Sequence, residues 1–257
     1  MENIFSGVWP EWKAEKMIGR GSFGAVYSAV RNESGVQTRS AIKVVSIPSD
    51  DSGAGDMEGL TSSETTVYLQ NMVNDFIGEI KVMESFKGMQ NIVSIEDFKV
   101  VKKTDGVGWR IYIRMELLTP FNQYVSSHPL TEGDIIRLGT EICTALEYCQ
   151  SRDLIHRDIK PENIFVNDFG CFKLGDFGIA RKLESMTSGM SQKGTMSYMA
   201  PEVAHGVRYD QRVDICSLGL VLYRLLNNGC PPFMTDRTQL LSPEMRTKSR
   251  EQRLGGV

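Results

Sequence analysis

The hydrophobic pattern changes its period partway along the chain, and few folds accommodate that change. In the first part the apolar residues fall in short runs rich in Val, Ile, Ala and Tyr. Ala25–Arg31 and Arg39–Ile47 read as strands, and Ile92–Val101 with Trp109–Leu118 as a second pair. Lys102–Gly108 joins that second pair and carries Asp105-Gly106, a hairpin-turn signal. One helix interrupts the strands: Val73, Phe76, Ile77, Ile80 and Met83 recur at three- and four-residue spacing and predict a helix over 67–87. From Thr131 the helical period takes over. Ile135, Leu138, Ile142, Ala145, Leu146 and Cys149 form one stripe ending near Gln150, opened by Thr131 and Asp134 in the manner of a capping box. Short strand-like pieces around Ile164–Val166 and Cys171–Leu174, a long loop and an apolar helix over 213–227 follow. The pattern predicts an α+β chain, strand-rich first and helix-rich afterwards.

The remaining segments read as connections. Pro48 to about Thr66 is rich in Ser, Gly, Asp and Glu and reads as a mobile loop, because ordered patterns resume on both sides. Ser242-Pro243-Glu244 reads as a helix start, with Ser as N-cap and Pro at the first helical position. The Arg246, Lys248, Arg250 and Arg253 that follow read as a solvated basic face. The 257 residues suffice for one large domain or two lobes. A net charge of -3 argues against a dedicated nucleic-acid or anionic-membrane binder. Five cysteines without CxxC spacing argue against a disulfide framework or structural zinc, and a reducing, cytoplasmic setting is expected. No signal peptide is expected at the N-terminus. Ile215–Leu226 is too short to span a bilayer and contains Arg224, so it reads as a buried core helix.

Three clusters carry chemistry. Gly19, Gly21 and Gly24 form a GxGxxG pattern, which by itself fits either a dinucleotide site or a turn over phosphates. The residues after it, Ala25 to Val30, read as strand and not as helix, which separates it from the dinucleotide fingerprint. A glycine turn between strands can lay backbone N–H groups against phosphates, since no Cβ blocks the approach. It can equally be a plain hairpin turn. Lys43, in Ser40-Ala41-Ile42-Lys43, lies 19 residues beyond Gly24 and could reach phosphates held by that turn. A carboxylate partner would fix it, and helical periodicity leaves both Glu79 and Glu84 as candidates.

The strongest signal is the ordered pair His156-Arg157-Asp158-Ile159-Lys160-Pro161-Glu162-Asn163 and Asp176-Phe177-Gly178. An Asp can accept a hydroxyl proton, and an Asn and a second Asp offer hard oxygen ligands for magnesium. A Lys two residues after the first Asp can neutralise a transferring phosphoryl group.

On these residues the sequence resembles the eukaryotic-like Ser/Thr protein kinases, and its style resembles a bacterial member. Ala200-Pro201-Glu202, Asp214-Ile215-Cys216-Ser217-Leu218-Gly219 and Met115-Glu116-Leu117-Leu118 fit the same family. The resemblance implies a bilobal fold: a β-rich N-lobe with one helix over 1–117 and a mainly helical C-lobe over 118–257. It implies ATP and Mg2+ as cofactors and a protein substrate with a Ser or Thr acceptor. Gly19, Gly21 and Gly24 would cover the ATP phosphates. Val26, Ala41 and Phe165 would enclose the adenine, and the backbones of Glu116 and Leu118 would bind its edge. Lys43 would hold the α/β-phosphates with Glu79 as its partner. Asp158 would act as base beside Lys160, and Asn163 and Asp176 would bind magnesium. His156 and Phe177 would pack with Met83 and Ile95, making His156 structural. The Asp214 carboxylate would brace the loop that carries Asp158.

Lys160 and Gly194-Thr195 resemble the Ser/Thr class. Arg157 resembles a receiver for a phosphate on the following loop, so activating autophosphorylation is expected at one or more of Ser185, Thr187, Ser188 and Ser191. Two other readings have different requirements. A small-molecule phosphotransferase usually lacks the Ala-Pro-Glu and Gly-Thr segments. A pseudokinase or truncated, weakly active ATP-binding module usually loses Lys43, Asp158 or Asp176, all of which stand here. After Phe233 only 24 residues remain, fewer than the family's C-lobe needs. The expectation is a shortened C-lobe with apolar surface exposed on the helix over 213–227, and no later Arg to meet Glu202.

Overall fold

Period-two alternation in the first part builds one antiparallel sheet. The computed structural model describes residues 4–21, 24–48, 62–104, 107–177, 196–234, 236, 238, 240 and 242–255, with backbone only at 21, 62, 63, 75 and 79. Strands β1 (Lys13–Gly21), β2 (Gly24–Glu33), β3 (Val36–Ile47), β4 (Ile95–Lys102) and β5 (Trp109–Met115) line up in the order β1-β2-β3-β5-β4. The sequence pattern does not announce β1. Its register slips at Ala14/Lys16 and again at Met17/Gly19, which breaks the alternation that marks a strand. Helix α1 (Ser62–Ser85) turns Leu69, Met72, Val73, Phe76, Ile80 and Met83 inward. It starts earlier than the predicted 67–87, so 62–66 belong to the helix and not to the preceding loop. That first turn is polar and carries Glu64, which suits a helix N-terminus but leaves no apolar stripe to read. The Asp105-Gly106 turn lies outside the described residues.

The two faces of this sheet hold different things. Residues opposed across antiparallel strands share a face, so Val26, Lys43 and Ile113 point one way while Tyr27, Ile42 and Arg114 point the other. The second face is covered by residues 4–12. Phe5, Trp9 and Trp12 are buried there against Ala29, Ile42 and Tyr112. Aromatic rings at such positions contribute on the order of 3–5 kcal/mol each relative to Ala.

The chain divides into two compact units. The sheet, α1 and residues up to Leu118 fall in the first, apart from Met89–Ile92. The described residues of Met89–Ile92, Thr119–Gly178 and Met190–Val257 form the second.

In the second unit, β6 (Thr119–Pro120), β7 (Ile164–Val166) and β8 (Phe172–Leu174) form a small sheet, with α2 (Phe121–Ser127) following β6 directly. Helix α3 (Glu132–Gln150) has the anticipated capping box, closed by Asp: Thr131 Oγ1 accepts from Asp134 N at 3.2 Å, and Asp134 Oδ2 accepts from Thr131 N at 3.0 Å. All six residues of its predicted stripe are buried. A short helix α4 (Pro201–Ala204) precedes α5 (Arg212–Leu226), which packs on α3. Ile215, Tyr223 and Leu226 on α5 are exposed, the apolar surface anticipated there. Helix α6 (Pro243–Leu254) opens as the Ser-Pro-Glu pattern predicts, with Ser242 Oγ accepting from Met245 N. No helix among the described residues is long and apolar enough to cross a membrane.

Candidate active site

The first unit positions its candidate residues through β-sheet register. Gly19 on β1 lies opposite Val26, which lies opposite Lys43, and Ala41 shares the face of both. Gly24 is fixed by close approach: a Cβ built on it would stand 1.8 Å from the Val44 carbonyl oxygen. Gly24→Ala is therefore expected to destabilise the unit by about 1–3 kcal/mol, read as a lower urea midpoint. An unchanged midpoint would show that the backbone there yields freely. Gly21 ends β1, and residues 22 and 23 lie outside the described residues.

Lys43 is half-buried. Glu79 stands within α1, with its side chain outside the described residues. Glu84, the other candidate, meets Lys87 at 3.8 Å one turn on. Glu116 and Leu118 follow β5. The Glu116 amide donates to Ser94 O at 3.2 Å and its carboxylate accepts from Ser94 N at 2.7 Å, which fixes the strand exit.

In the second unit the candidate residues converge on Asp158. Lys160 Nζ lies 2.7 Å from Asp158 Oδ2, and Asn163 Nδ2 donates to the same oxygen at 2.9 Å and to the Asp158 carbonyl at 2.8 Å. Pro161–Asn163 makes one 3-10 turn, so Lys160 and Asn163 fold back around the aspartate. Asn163 is 4% exposed and spends its amide nitrogen on Asp158, which leaves Oδ1 as its acceptor. Its carbonyl takes Gly175 N at 2.9 Å, tying the loop to the residue before Asp176. Asp176 is exposed with φ 57, and Arg157 has φ 66. These left-handed conformations cost a non-glycine residue on the order of 1–3 kcal/mol and persist only where neighbours enforce them.

Asp214 at the start of α5 supplies that enforcement at Arg157. It is 2% exposed, and its two oxygens accept from His156 N at 2.7 Å and Arg157 N at 2.8 Å. His156 is buried with its ring 4.9 Å from that of Phe177. Its Nε2 meets the Gly175 carbonyl, which can only accept, so Nε2 carries the proton. Nδ1 then accepts from Asp158 N at 3.4 Å. Burial pushes the His156 imidazolium below its ordinary pKa and the Asp214 carboxyl above its own, with their mutual attraction opposing both shifts. His156 is thus a neutral packing residue, as the sequence reading expects. Phe165 lies half-buried on β7, opposite Pro120 and Lys173.

The asparagine and aspartate fit the requirements of magnesium. Mg2+ takes one or two protein oxygens beside phosphate and water, and the Asn163 Oδ1 and the exposed Asp176 carboxylate are such donors. Among the described residues no three acidic, His or Cys groups gather into an all-protein cage.

Other contacts surround this cluster. The Arg157 guanidinium lies 5.6 Å from the Tyr209 ring centroid, and that of Arg224 lies 4.9 Å from Tyr198. The loop positions Ser185, Thr187, Ser188, Ser191 and Thr195 lie outside the described residues. Against the reading of Arg246, Lys248, Arg250 and Arg253 as a solvated basic face, Arg253 turns toward the segment before Ala-Pro-Glu. Arg253 on α6 donates from Nη1 to Met199 O and from Nη2 to Met196 O, the latter at 2.8 Å. It meets backbone carbonyls ahead of Glu202, a contact that residue spacing does not reveal. Asn91, whose Nδ2 donates to Phe172 O at 3.0 Å, and Tyr209 likewise carry no sequence signal for these contacts.

Comparison with known proteins agrees with this arrangement. The protein kinase domain family matches residues 12–253. The chain is 31% identical over 234 residues to mitogen-activated protein kinase kinase kinase 5 of Arabidopsis thaliana, covering 87% of this chain and 29% of the relative. It is 32% identical over 225 residues to serine/threonine-protein kinase Pkn1 of Myxococcus xanthus, covering 84% and 29%. It is 27% identical over 245 residues to serine/threonine-protein kinase AtPK1/AtPK6 of Arabidopsis thaliana, covering 93% and 46%. The chain therefore spans less than half the length of these curated relatives. With a braced aspartate loop, an antiparallel sheet bearing Gly19, Gly21, Gly24 and Lys43, and a family match over nearly its whole length, the chain belongs to the protein kinase family.

Proposed function

We propose that this chain transfers the γ-phosphoryl group of ATP to Ser or Thr hydroxyls of protein substrates. The observation that carries the reading is the cluster of Lys160 and Asn163 on one oxygen of Asp158, at 2.7 and 2.9 Å. Two donors on one oxygen fix the plane of the carboxylate, so an incoming hydroxyl meets a base in a set orientation. The hydroxyl oxygen attacks the γ-phosphorus, the bond to the β-phosphate oxygen breaks, the proton passes to Asp158 and ADP leaves. Lys160 places positive charge where the transferring group accumulates negative charge. Lys43, with Glu79 as partner, holds the α/β-phosphates. Gly19, Gly21 and Gly24 present backbone to the phosphates, and Val26, Ala41, Phe165 and the backbones of Glu116 and Leu118 take the adenine. Magnesium, when held by Asn163 and Asp176, neutralises charge on the phosphates. The lobes in this reading are 1–117 and 118–257, and the setting is the cytoplasm.

The Ser/Thr assignment is supported by Lys160 and by the names of the relatives above. Autophosphorylation at Ser185, Thr187, Ser188 or Ser191 is supported by Arg157, an exposed residue whose guanidinium is of the type that pairs with phosphate. One experiment tests these points. The protein is incubated with Mg-ATP and a generic Ser/Thr acceptor, and both acceptor and enzyme are analysed by mass spectrometry. Phosphate on the acceptor that disappears in Asp176→Asn supports the proposal. Nucleotide binding without transfer in the wild type assigns the chain to the pseudokinase class. An active enzyme bearing no phosphate between residues 178 and 195 removes the autophosphorylation step.

A further inference from the structure

Residues 4–12 form a short coil of turns, with Val8 and Trp9 amides donating to Phe5 O and the Trp12 amide to Trp9 O. The family match begins at residue 12, so all but the last of these residues stand outside it. Yet Phe5, Trp9 and Trp12 are 0%, 5% and 1% exposed. The rings are held by more than burial. Phe5 meets Tyr27 edge-on at 6.1 Å, and Trp9 meets Tyr112 at 6.3 Å. Trp9 Nε1 donates to Asp97 Oδ2 at 3.0 Å.

Two arginines depend on these indoles. The Arg114 guanidinium lies 5.8 Å from the Trp9 ring and 5.0 Å from Trp12, and that of Arg31 lies 5.4 Å from Trp12. The Nε atoms of both arginines are buried without a hydrogen-bond acceptor among the described residues, and Arg31 also meets Glu33 Oε2 at 3.7 Å through Nη1. Arg114 also pairs with Glu96, which accepts from Ser40 Oγ at 2.7 Å. Ser40, Ile42 and Val44 lie on one face of β3, under this layer. Lys43, between Ile42 and Val44, points to the other face.

We propose that residues 4–12 are a strap whose seating on the outer sheet face positions Lys43, with Trp9, Trp12 and Arg114 as positioning residues for nucleotide binding. A strand turns about its axis as a unit, because alternate side chains share one backbone. Fixing Ile42 and Val44 on one side therefore fixes the direction in which Lys43 leaves on the other. Releasing the strap uncovers Ile42 and Tyr112, removes the ring faces from Arg114 and loosens the Ser40–Glu96–Arg114 link. The strand can then roll, and the lysine loses its aim.

The proposal rests on the reading of Lys43 as the phosphate-binding lysine, so its test has an arm independent of nucleotide. In full-length Trp9→Ala, amide exchange across residues 41–46 is expected to quicken by about tenfold relative to wild type. Affinity for a fluorescent ATP analogue is expected to fall by about tenfold, while KM for the peptide acceptor stays within about twofold. Trp9→Phe restores a ring over Arg114 and is expected to recover most of the affinity. Asp97→Asn keeps both rings, leaves one side-chain oxygen where the carboxylate offers two to the Trp9 indole and the Phe98 amide, and is expected to lower affinity about twofold to threefold, which keeps the proposal open to refutation if Trp9→Ala does not fold. Unchanged exchange at 41–46, or quickened exchange with unchanged nucleotide affinity, would overturn the strap. So would an equal loss of peptide and nucleotide affinity, which marks general destabilisation. A wild-type protein that binds no nucleotide refutes the reading of Lys43, and the exchange result then still decides whether the strap holds β3.

Discussion

Asp158→Asn is expected to lower kcat by about 10²–10⁴-fold, the range by which a positioned general base accelerates proton transfer. The substitution keeps the shape of the side chain. The amide oxygen can still accept from Lys160 Nζ and Asn163 Nδ2, which meet one oxygen of the carboxylate at 2.7 and 2.9 Å. The loop should therefore stay folded, and nucleotide affinity should change by no more than about threefold. What is lost is the capacity to take the hydroxyl proton. Because the interaction matters only as the hydroxyl attacks, kcat and kcat/KM for the acceptor should fall together. Steady-state kinetics with matched nucleotide-binding measurements checks this. Activity within about tenfold of wild type would mean that the proton leaves by another route.

Asp214→Ala is expected to destabilise the second unit by about 2–5 kcal/mol. The carboxylate is 2% exposed and satisfies two backbone N–H groups, those of His156 and Arg157. Alanine leaves both buried donors without an acceptor and removes what holds Arg157 at φ 66. Urea unfolding followed by circular dichroism measures the loss, and a change below about 1 kcal/mol would show that water replaces the carboxylate.

The variant should also respond differently to acid. His156 is buried, so its imidazolium is disfavoured and its pKa lies below the ordinary 6.5. As pH falls below 6.5, the unfolded chain takes up a proton that the folded chain resists, and stability falls. Asp214 acts in the opposite sense. Its raised pKa lets the folded state accept a proton before the unfolded state does, and its charge also eases protonation of His156. Removing it takes away the attraction that eases His156 protonation, so Asp214→Ala should lose at least as much stability as wild type when the pH falls below 6.5, read from urea midpoints across that range.

What could be read from the sequence follows from how each residue does its work. The buried stripe of α3 and its Thr131–Asp134 cap are local, and the spacing alone announces them. Val26, Ala41 and Lys43 were assigned by resemblance, but their common face follows from strand alternation once the pairing is known. Long-range contacts gave no such signal. Arg253 looked like one of several solvated arginines on a basic helix, because nothing in its neighbourhood reports that Met196 and Met199 carbonyls lie within reach. The aromatic strap was equally silent: Phe5, Trp9 and Trp12 follow neither a helical nor a strand period, since turns space them and the sheet beneath selects them. β1 was hidden by its own irregular register. The early start of α1 was hidden because its first turn buries little.

The burial of Trp9 and Trp12 has a practical consequence. These and Trp109 are the chain's three tryptophans, and all are at most 8% exposed within the first unit. Selectively excited indole fluorescence therefore reports on the sheet alone, whereas most of the helical turns that dominate far-ultraviolet dichroism belong to the second unit. Followed through one denaturant titration, the two signals act as separate clocks for separate halves of the chain. Coincident midpoints would mean that the halves melt as one cooperative body, and a gap between them would measure how independently each stands.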